Sequence, residues 1–322
     1  MPVVIRTNIE SMVVQKNLNL ATNALNTSIE RMTTGYRINH ASDNAANYSI
    51  AKNWVKQLSS LDVVTDNTAM GKDMLATTED NYSIISTHLG RIRDLTEQAA
   101  NGTYGIDSLK AIKSEIQARL EEISRIAENA EFNGINLMGS TSSLPNGVDL
   151  QVGLNGTNND KINLPSTIFA NSTVNGLFKT DAGLMDIVKS ANGGTAVSDL
   201  NTETGYAALA AAFSGLKKSG DDYVIQTEAD YKPAKTLTSI DSVIDLISSR
   251  NTALGAAENK LDSAAEALSI QIQNVTSSLS TIRDTDVAAE SSAYIQAQIL
   301  QQASATLLST ANQMPTVALN LL

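Results

Sequence analysis

One helical repeat near the carboxyl end constrains the fold of this 322-residue chain more than any other feature. From Leu237 to Ile282, apolar residues recur at alternating steps of three and four without a slip, and only Asn251 and Glu258 interrupt them. This spacing forms an apolar seam on one side of a helix, which is buried when the helix packs in a coiled coil. A helix of this length extends for roughly 70 Å. The repeat therefore predicts an elongated, mainly α-helical rod, with Asn251 and Glu258 as polar residues inside the seam.

The final segment, residues 291–322, contains no Asp, Glu, Lys or Arg. We expect no membrane insertion, because Gln and Asn break each apolar run and no window reaches the roughly 20 apolar residues that a bilayer requires. The apolar residues nevertheless follow helical spacing and form one stripe, which includes Ile295, Ile299, Leu300, Leu307 and Leu308. An uncharged helix with such a stripe is poorly soluble alone and is suited to burial against copies of itself. The segment predicts a polymer.

Helical spacing is also present near the amino terminus, where Leu25, Ile29 and Met32 are separated by steps of four and three. A polar turn follows, in which Ser42 or Asp43 is expected to cap a second helix. The rod is therefore predicted to contain helices from both ends of the chain.

Two stretches of helix are predicted between that turn and the middle of the chain. The first continues to about Asn101, where a turn containing two glycines ends it. The second begins at Asp107 or Ser108 and continues to about Glu128.

The middle of the chain, about residues 139–235, has a different composition, rich in Gly, Asn, Ser and Thr. Residues 149–164 predict a β-hairpin. Short helices are expected near 183–189 and 206–217, and a short strand at 223–226. This pattern indicates a small exposed α+β domain inserted into the helical rod.

Composition and motifs exclude several classes of function. The net charge of −11 disfavours nucleic acid, which is recognised through basic surfaces. The chain has no Cys, so it has neither disulfides nor thiolate chemistry, and its only histidines, His40 and His88, lack metal-binding spacing. Neither a nucleophile motif nor a phosphate-binding loop is present. No catalytic site, metal or cofactor is predicted, and the chain is not expected to be an enzyme.

The first residues lack a basic region followed by an apolar core, so a cleaved secretory signal is not expected. This feature is consistent with a cytoplasmic protein or with an export route that threads an unfolded chain without such a signal. A chain without disulfides suits the second route.

Four motifs resemble those of bacterial flagellins, in the family's order and spacing. They are RMTTGYRINHASDNAANYSIA at 31–51, GRIRDLTEQAANGT at 90–103, EFNGINLMG at 131–139 and the segment 282–322. The resemblance covers about residues 1–170 and 237–322. The middle shows no clear resemblance, which agrees with the family's variable outer domain. Ser304 and Tyr36 depart from residues that are common in the family.

The resemblance implies a subunit that self-assembles into the extracellular flagellar filament used for motility, by coupled folding and polymerisation of its terminal helices. It implies three domains: a terminal coiled coil that lines the filament core (1–40 with 282–322), a helical bundle with a β-hairpin (41–170 with 237–281), and a variable surface-exposed domain (171–236). The expected polymerisation residues are Leu25, Ile29, Met32, Ile295, Ile299, Leu300, Leu307 and Leu308.

The family resemblance also implies partners. The implied partners are an export chaperone, the filament cap protein, hook-junction proteins and a vertebrate Toll-like receptor. The implied export route is the flagellar type III channel. Arg91, Leu95 and Glu115 match the family positions on which receptor recognition depends. The alternative for these three residues is that they are outer-face residues that only contact neighbouring subunits.

Two other functions are considered. A hook–filament junction protein has the same terminal architecture and would differ in copy number. A flagellin with a protease in its outer domain is disfavoured, because the stretch from Asn171 to Thr236 contains no His.

Overall fold

A computed structural model describes residues 8–141, 144, 146–220, 222–226 and 232–320, with side chains described as far as residue 313. The outermost residues of the predicted terminal coiled coil, 1–7 and 321–322, lie outside these ranges. The described residues form two compact units. The terminal unit contains the residues up to Leu61 and from Ser269 onwards, and the central unit contains Asp62–Leu268.

The chain is mainly α-helical, as predicted, and its described residues contain three small antiparallel hairpins, of which the sequence predicted one. Its helices and strands are α1 (Ile9–Thr34), α2 (Ala45–Ala99), α3 (Ile106–Asn129), β1 (Glu131–Phe132), β2 (Ile135–Asn136), β3 (Val148–Gln151), a 3-10 turn (Asn158–Asp160), β4 (Lys161–Leu164), α4 (Val174–Phe178), α5 (Ala182–Ala191), α6 (Glu203–Ser214), β5 (Leu216–Ser219), β6 (Asp222–Ile225), α7 (Pro233–Arg283) and α8 (Val287–Asn320). The predicted hairpin at 149–164 is β3–β4, in which Val148 pairs with Leu164.

The three-part domain division predicted from the sequence is finer than the two units of the structure. Residues 171–236, the predicted outer domain, belong to the central unit. Their apolar side chains join the same hydrophobic core as those of α2, α3 and α7. The division into three domains stays a prediction.

In the terminal unit, α1 packs along α8, so the first and last described helices of the chain are partners. Asn8 caps α1, because its side-chain oxygen accepts the Ser11 N–H at 3.0 Å. Gly35 ends the helix with a φ of 75°, a conformation that favours glycine.

The turn between α1 and α2 is bonded to the turn between α7 and α8. The Arg37 N–H donates to the Arg283 carbonyl at 2.6 Å, and the Thr285 N–H donates to the Gly35 carbonyl at 2.9 Å. The Arg283 guanidinium lies 3.7 Å from the centroid of the Tyr36 ring, a cation–π contact. Backbone bonds and ring stacking thus join the two turns inside the terminal unit.

The cap of α2 differs from the prediction of Ser42 or Asp43. The Asp43 carboxylate instead accepts the backbone N–H groups of Asn39 and His40, at 3.0 and 2.9 Å. Both hydrogen bonds lower the pKa of Asp43, and the bond from the His40 N–H has the larger effect. The residue at the cap position is Asn44, whose side-chain oxygen accepts the Asn47 N–H at 3.0 Å.

The core of the central unit is built on the apolar stripes of its helices. In α3 the stripe follows the predicted steps of three and four and is buried throughout, at Leu109, Ile112, Ile116, Leu120, Ile123 and Ile126. Helix α6 is rich in alanine and buried over most of its length. Its close approach to the preceding segment requires Gly205, since an added Cβ would lie 2.5 Å from the Asp199 carbonyl oxygen.

Helix α7 follows the predicted repeat, but its buried seam is displaced from the predicted one. Positions 240, 247, 254 and 261 are buried as expected, and 243, 250 and 257 are buried beside them. The other predicted column, which includes Asn251 and Glu258, is only half-buried. Arg250, 9% exposed, is therefore the charged residue inside the seam.

A buried hydrogen-bonded network fixes residues 168–172 between α2 and α7. The Tyr82 hydroxyl donates to the Ile168 carbonyl at 2.7 Å and lies 3.3 Å from the Ser172 hydroxyl, which donates to it. Arg250 Nη1 donates to the same Ser172 oxygen at 2.7 Å and to the Ala170 carbonyl at 3.2 Å. Buried polar groups need such partners, because leaving one unpaired costs about 1–3 kcal/mol.

Replacing Tyr82 with Phe removes this hydroxyl and keeps the ring. We expect the free energy of unfolding of the central unit to fall by about 1–3 kcal/mol, since a buried carbonyl and a buried hydroxyl lose a partner. Urea denaturation followed by circular dichroism measures the change. Tyr104→Phe is the control, because the Tyr104 hydroxyl accepts only an exposed bond from Gln98. Equal losses in the two variants would contradict the role of the network.

Candidate self-assembly surface

The seam between α1 and α8 consists largely of small and polar side chains. Its residues follow steps of three and four on both helices: Ser11, Val14, Leu18, Ala21, Leu25 and Ser28 on α1, and Tyr294, Ala297, Gln301, Ser304, Leu308 and Ala311 on α8. Of these, only Ala21, Ser28, Ala297 and Ala311 are buried, and the others are half-buried. Small residues allow the helices to approach closely, but they bury little apolar area.

Polar contacts across the seam set the register of the two helices. The Asn8 amide donates to the Ala311 carbonyl at 2.8 Å, and the Ser11 hydroxyl donates to the Asn312 side chain at 2.7 Å. At the other end, Arg31 lies 3.7 Å from Glu290. Glu290 is the last charged residue of the chain, so the remainder of α8 is uncharged.

Most large apolar side chains of both helices lie outside this seam. Of the predicted polymerisation residues, Leu25 and Leu308 are half-buried in the seam, and the other six are exposed: Ile29, Met32, Ile295, Ile299, Leu300 and Leu307. Ile299 is 60% exposed. Contiguous exposed apolar surface of this kind marks an interaction site.

Four exposed apolar residues of α1 were not predicted as polymerisation residues: Ile9, Met12, Val13 and Leu20. Ile9, Val13 and Leu20 lie on the side of α1 opposite the seam, at steps of four and seven. The sequence indicates these residues through a second apolar stripe on α1. Periodicity alone does not say which stripe of α1 faces α8 and which is exposed.

The residues predicted for receptor recognition lie on α2 and α3 in the central unit. Arg91 Nε donates to Glu115 Oε1 at 3.1 Å, and Arg119 Nη2 donates to the same oxygen at 2.9 Å. The hydrogen bond from Arg119 lowers the pKa of Glu115, and Arg91 lowers it further. Partial burial acts in the opposite direction and offsets part of this effect. The structure thus brings Arg91 and Glu115 together in an exposed arginine–glutamate cluster with Arg119.

Leu95 is not part of that exposed cluster. Its side chain is 2% exposed and packs in the hydrophobic core of the central unit. A core side chain has almost no exposed area for contact with a partner. In this conformation Leu95 can affect the nearby surface only through the packing of α2. The dependence of receptor recognition on Leu95, which the family resemblance implies, stays a prediction.

His88 lies beside the arginine–glutamate cluster, with its Nδ1 3.5 Å from Arg119 Nη1. Partial burial lowers the pKa of His88 below its ordinary value of 6.5, and the positive charge of Arg119 adds to this effect. Glu122 acts in the opposite direction and offsets part of it.

Within the described part of the chain, no helix is long and apolar enough to cross a membrane. The same residues contain no group of three or more His, Cys, Asp or Glu that could hold a metal ion.

The long helices, the chain-end pairing of α1 with α8 and the exposed apolar stripes define a class of helical protein that associates with other chains. The family model of the bacterial flagellin N-terminal helical region matches residues 5–143, and that of the C-terminal helical region matches residues 237–322. The chain belongs to the bacterial flagellin family.

Curated relatives agree with this assignment over the full length. The chain is similar to flagellin D of Vibrio anguillarum, with 29% identity over all of both chains. It is also similar to a flagellin of Shigella flexneri, with 33% identity over 83% of this chain and 46% of that protein. Among solved structures, a putative flagellar hook-associated protein from Vibrio parahaemolyticus has a related fold, with a TM-score of 0.53 and 19% identity over 75% of this chain and all of that one.

Membership of the family confirms the predicted function. The protein is a structural subunit of the bacterial flagellar filament and is exported to form that extracellular polymer. The hook–filament junction alternative is not favoured, since the family models and the curated relatives are flagellins. The likeness to the hook-associated protein shows the fold alone.

The lowered pKa of His88 predicts a pH dependence of stability. The unfolded chain binds a proton at this residue more readily than the folded chain does, so the contribution of His88 is complete above pH 6.5 and is lost as the pH falls below that value. Urea midpoints at pH 7.5, 6.5 and 5.5 should therefore decrease, and His88→Gln should flatten the decrease.

The matched control is His40→Gln, which keeps His88 and should keep this component of the decrease. An identical pH profile for His88→Gln and the unmodified chain would show that His88 does not contribute.

Proposed function

We propose that α1 and α8 form the polymerisation surface of the filament subunit. The observation that carries this proposal is the exposure of most large apolar side chains on a helix pair whose own seam consists largely of small and polar residues. Burial of one Leu or Ile side chain stabilises an assembly by roughly 1.5–3 kcal/mol. Eleven large apolar residues of α1 and α8, including Met and Val, are exposed among those whose side chains the structure describes, and neighbouring subunits supply the apolar surface that would cover them.

Folding of the terminal helices is coupled to assembly in this proposal. Isolated helices are marginally stable in water, and most helix stability in proteins comes from packing of an apolar face. The α1–α8 seam provides little of that packing. The pair therefore becomes fully ordered when neighbouring subunits cover its outer faces.

The uncharged α8 accounts for the proposed accessory partners. Such a helix needs an export chaperone to keep it soluble before export, and the filament cap protein and the hook-junction proteins are proposed to contact the same terminal helices. A vertebrate Toll-like receptor is proposed to bind the monomer at the arginine–glutamate cluster. The protein acts by assembly and without catalysis.

Deletion of residues 291–322 tests the polymerisation surface. We expect the variant to remain soluble and to keep the melting transition of the central unit, because all residues of that unit are retained. It should form no filaments, since α1 loses its partner and most of the apolar stripe of α8 is removed. Thermal melts and electron microscopy measure the two outcomes. Filaments from this variant would refute the proposal.

Receptor recognition is tested with monomers in a reporter cell assay. Arg91→Ala should reduce signalling and leave the melting temperature nearly unchanged, because Arg91 is exposed. Leu95→Ala should also reduce signalling, but through the core, with a loss of about 2–5 kcal/mol in the free energy of unfolding.

The control for this assay is Arg125→Ala, which removes an exposed arginine of α3 paired only locally with Glu122. Unchanged signalling by the Arg91→Ala monomer would exclude the arginine–glutamate cluster as a receptor contact.

A further inference from the structure

A groove of about 570 Å³ follows one side of the α1–α8 pair. Alanines form much of its lining, among them Ala24 and Ala293, and Leu20 and Leu300 also line it. None of its lining residues is charged. It extends over residues 17–28 of α1 and 293–304 of α8, which is roughly 16 Å of helix.

A ridge of two isoleucines lies on a different side of α8. Ile295 is about 140° around the helix from Leu300, and Ile299 is about 160° from Ala297, another lining residue. Ile295 and Ile299 are four positions apart, so their side chains are neighbours on the helix surface. Both are more than half exposed.

We infer that the groove receives the Ile295–Ile299 ridge of a second copy of this chain. The inference rests on the proposed function, which requires copies to meet through α1 and α8. The groove is uncharged, and so is the segment that carries the ridge, so contact between them removes no charge from water. Branched side chains one helical turn apart also match a groove lined by small residues, as knobs match holes between packed helices.

The position of the two features determines the kind of assembly. Because the groove and the ridge lie on different sides of the same helix pair, each subunit gives its ridge to one neighbour and receives a ridge from another. Contacts of this head-to-tail type produce open helical polymers unless the rotation closes a ring. A polymer built through this contact therefore has two different ends, one that presents a free groove and one that presents a free ridge.

Seeded polymerisation of purified full-length monomers tests the inference. Ala24→Leu fills the groove from a position that is exposed in the subunit, so the α1–α8 pair is left intact. We expect the critical concentration for filament growth to rise by about fivefold or more, since overpacking of a contact costs about 1–3 kcal/mol. Ala24→Ser keeps the side chain small and should polymerise as the unmodified chain does.

The double variant Ala24→Leu with Ile299→Ala identifies the occupant. Ile299→Ala alone should also raise the critical concentration. If Ile299 enters the groove beside Ala24, the added Leu occupies the volume that the lost Ile vacates, and the double variant should polymerise better than either single variant. Losses that simply add would show that the two positions do not touch, and the inference would be wrong.

Mixing experiments test the direction of the contact. Ala24→Leu impairs the groove and Ile299→Ala impairs the ridge, so each variant loses one of the two sides of the contact. Small amounts of the variant that keeps the side facing the growing tip should stop growth of unmodified filaments, because that subunit binds the tip but cannot accept the next one. The other single variant cannot bind the tip and should leave growth unaffected. Equal effects of the two variants would contradict a head-to-tail contact.

Failure of the inference is distinguishable from failure of the proposed function. If the unmodified chain polymerises and Ala24→Leu does so at the same critical concentration, the groove is not an interface, although α1 and α8 still are. If the deletion of residues 291–322 forms filaments, both are refuted.

Discussion

The close pairing of α1 with α8 through small side chains is the constraint on which the terminal unit depends. The small residues Ala21, Ser28, Ala297 and Ala311 are the buried points of the seam and allow the two helices to approach closely. Most of the large apolar side chains of the two helices lie outside the seam and are exposed. A subunit of this kind cannot bury its terminal apolar surface within itself, whereas a filament of copies can.

The central unit follows the opposite rule. Its large side chains, such as Tyr82, Phe169 and Phe213, are fully buried, and its buried polar groups are paired through the network of Tyr82, Ser172 and Arg250. This unit has the features of a body that folds before assembly. The protein thus combines a central unit that buries its own apolar side chains with terminal helices that leave theirs exposed.

Local periodicity predicted most of the helices, because 3.6-residue spacing is a property of the helix itself. It did not identify which column of α7 is central, since that depends on the loop at 170–172, which Arg250 contacts. The cap of α2 was missed because the Asp43 side chain bonds backward to the preceding turn. Leu95 was expected at the surface because the family pattern gives positions in the sequence and not their burial in this chain.

The partnership of α1 with α8 joins residues that are almost a whole chain length apart. The Asn8 amide finds its acceptor at Ala311, a separation of 303 positions. A polypeptide interrupted anywhere before α8 would therefore present α1 without its mate, however well its centre had folded. If the paired helices form the polymerisation surface, as proposed, the polymer admits only subunits that carry both α1 and α8, and fragments that lack either helix are excluded.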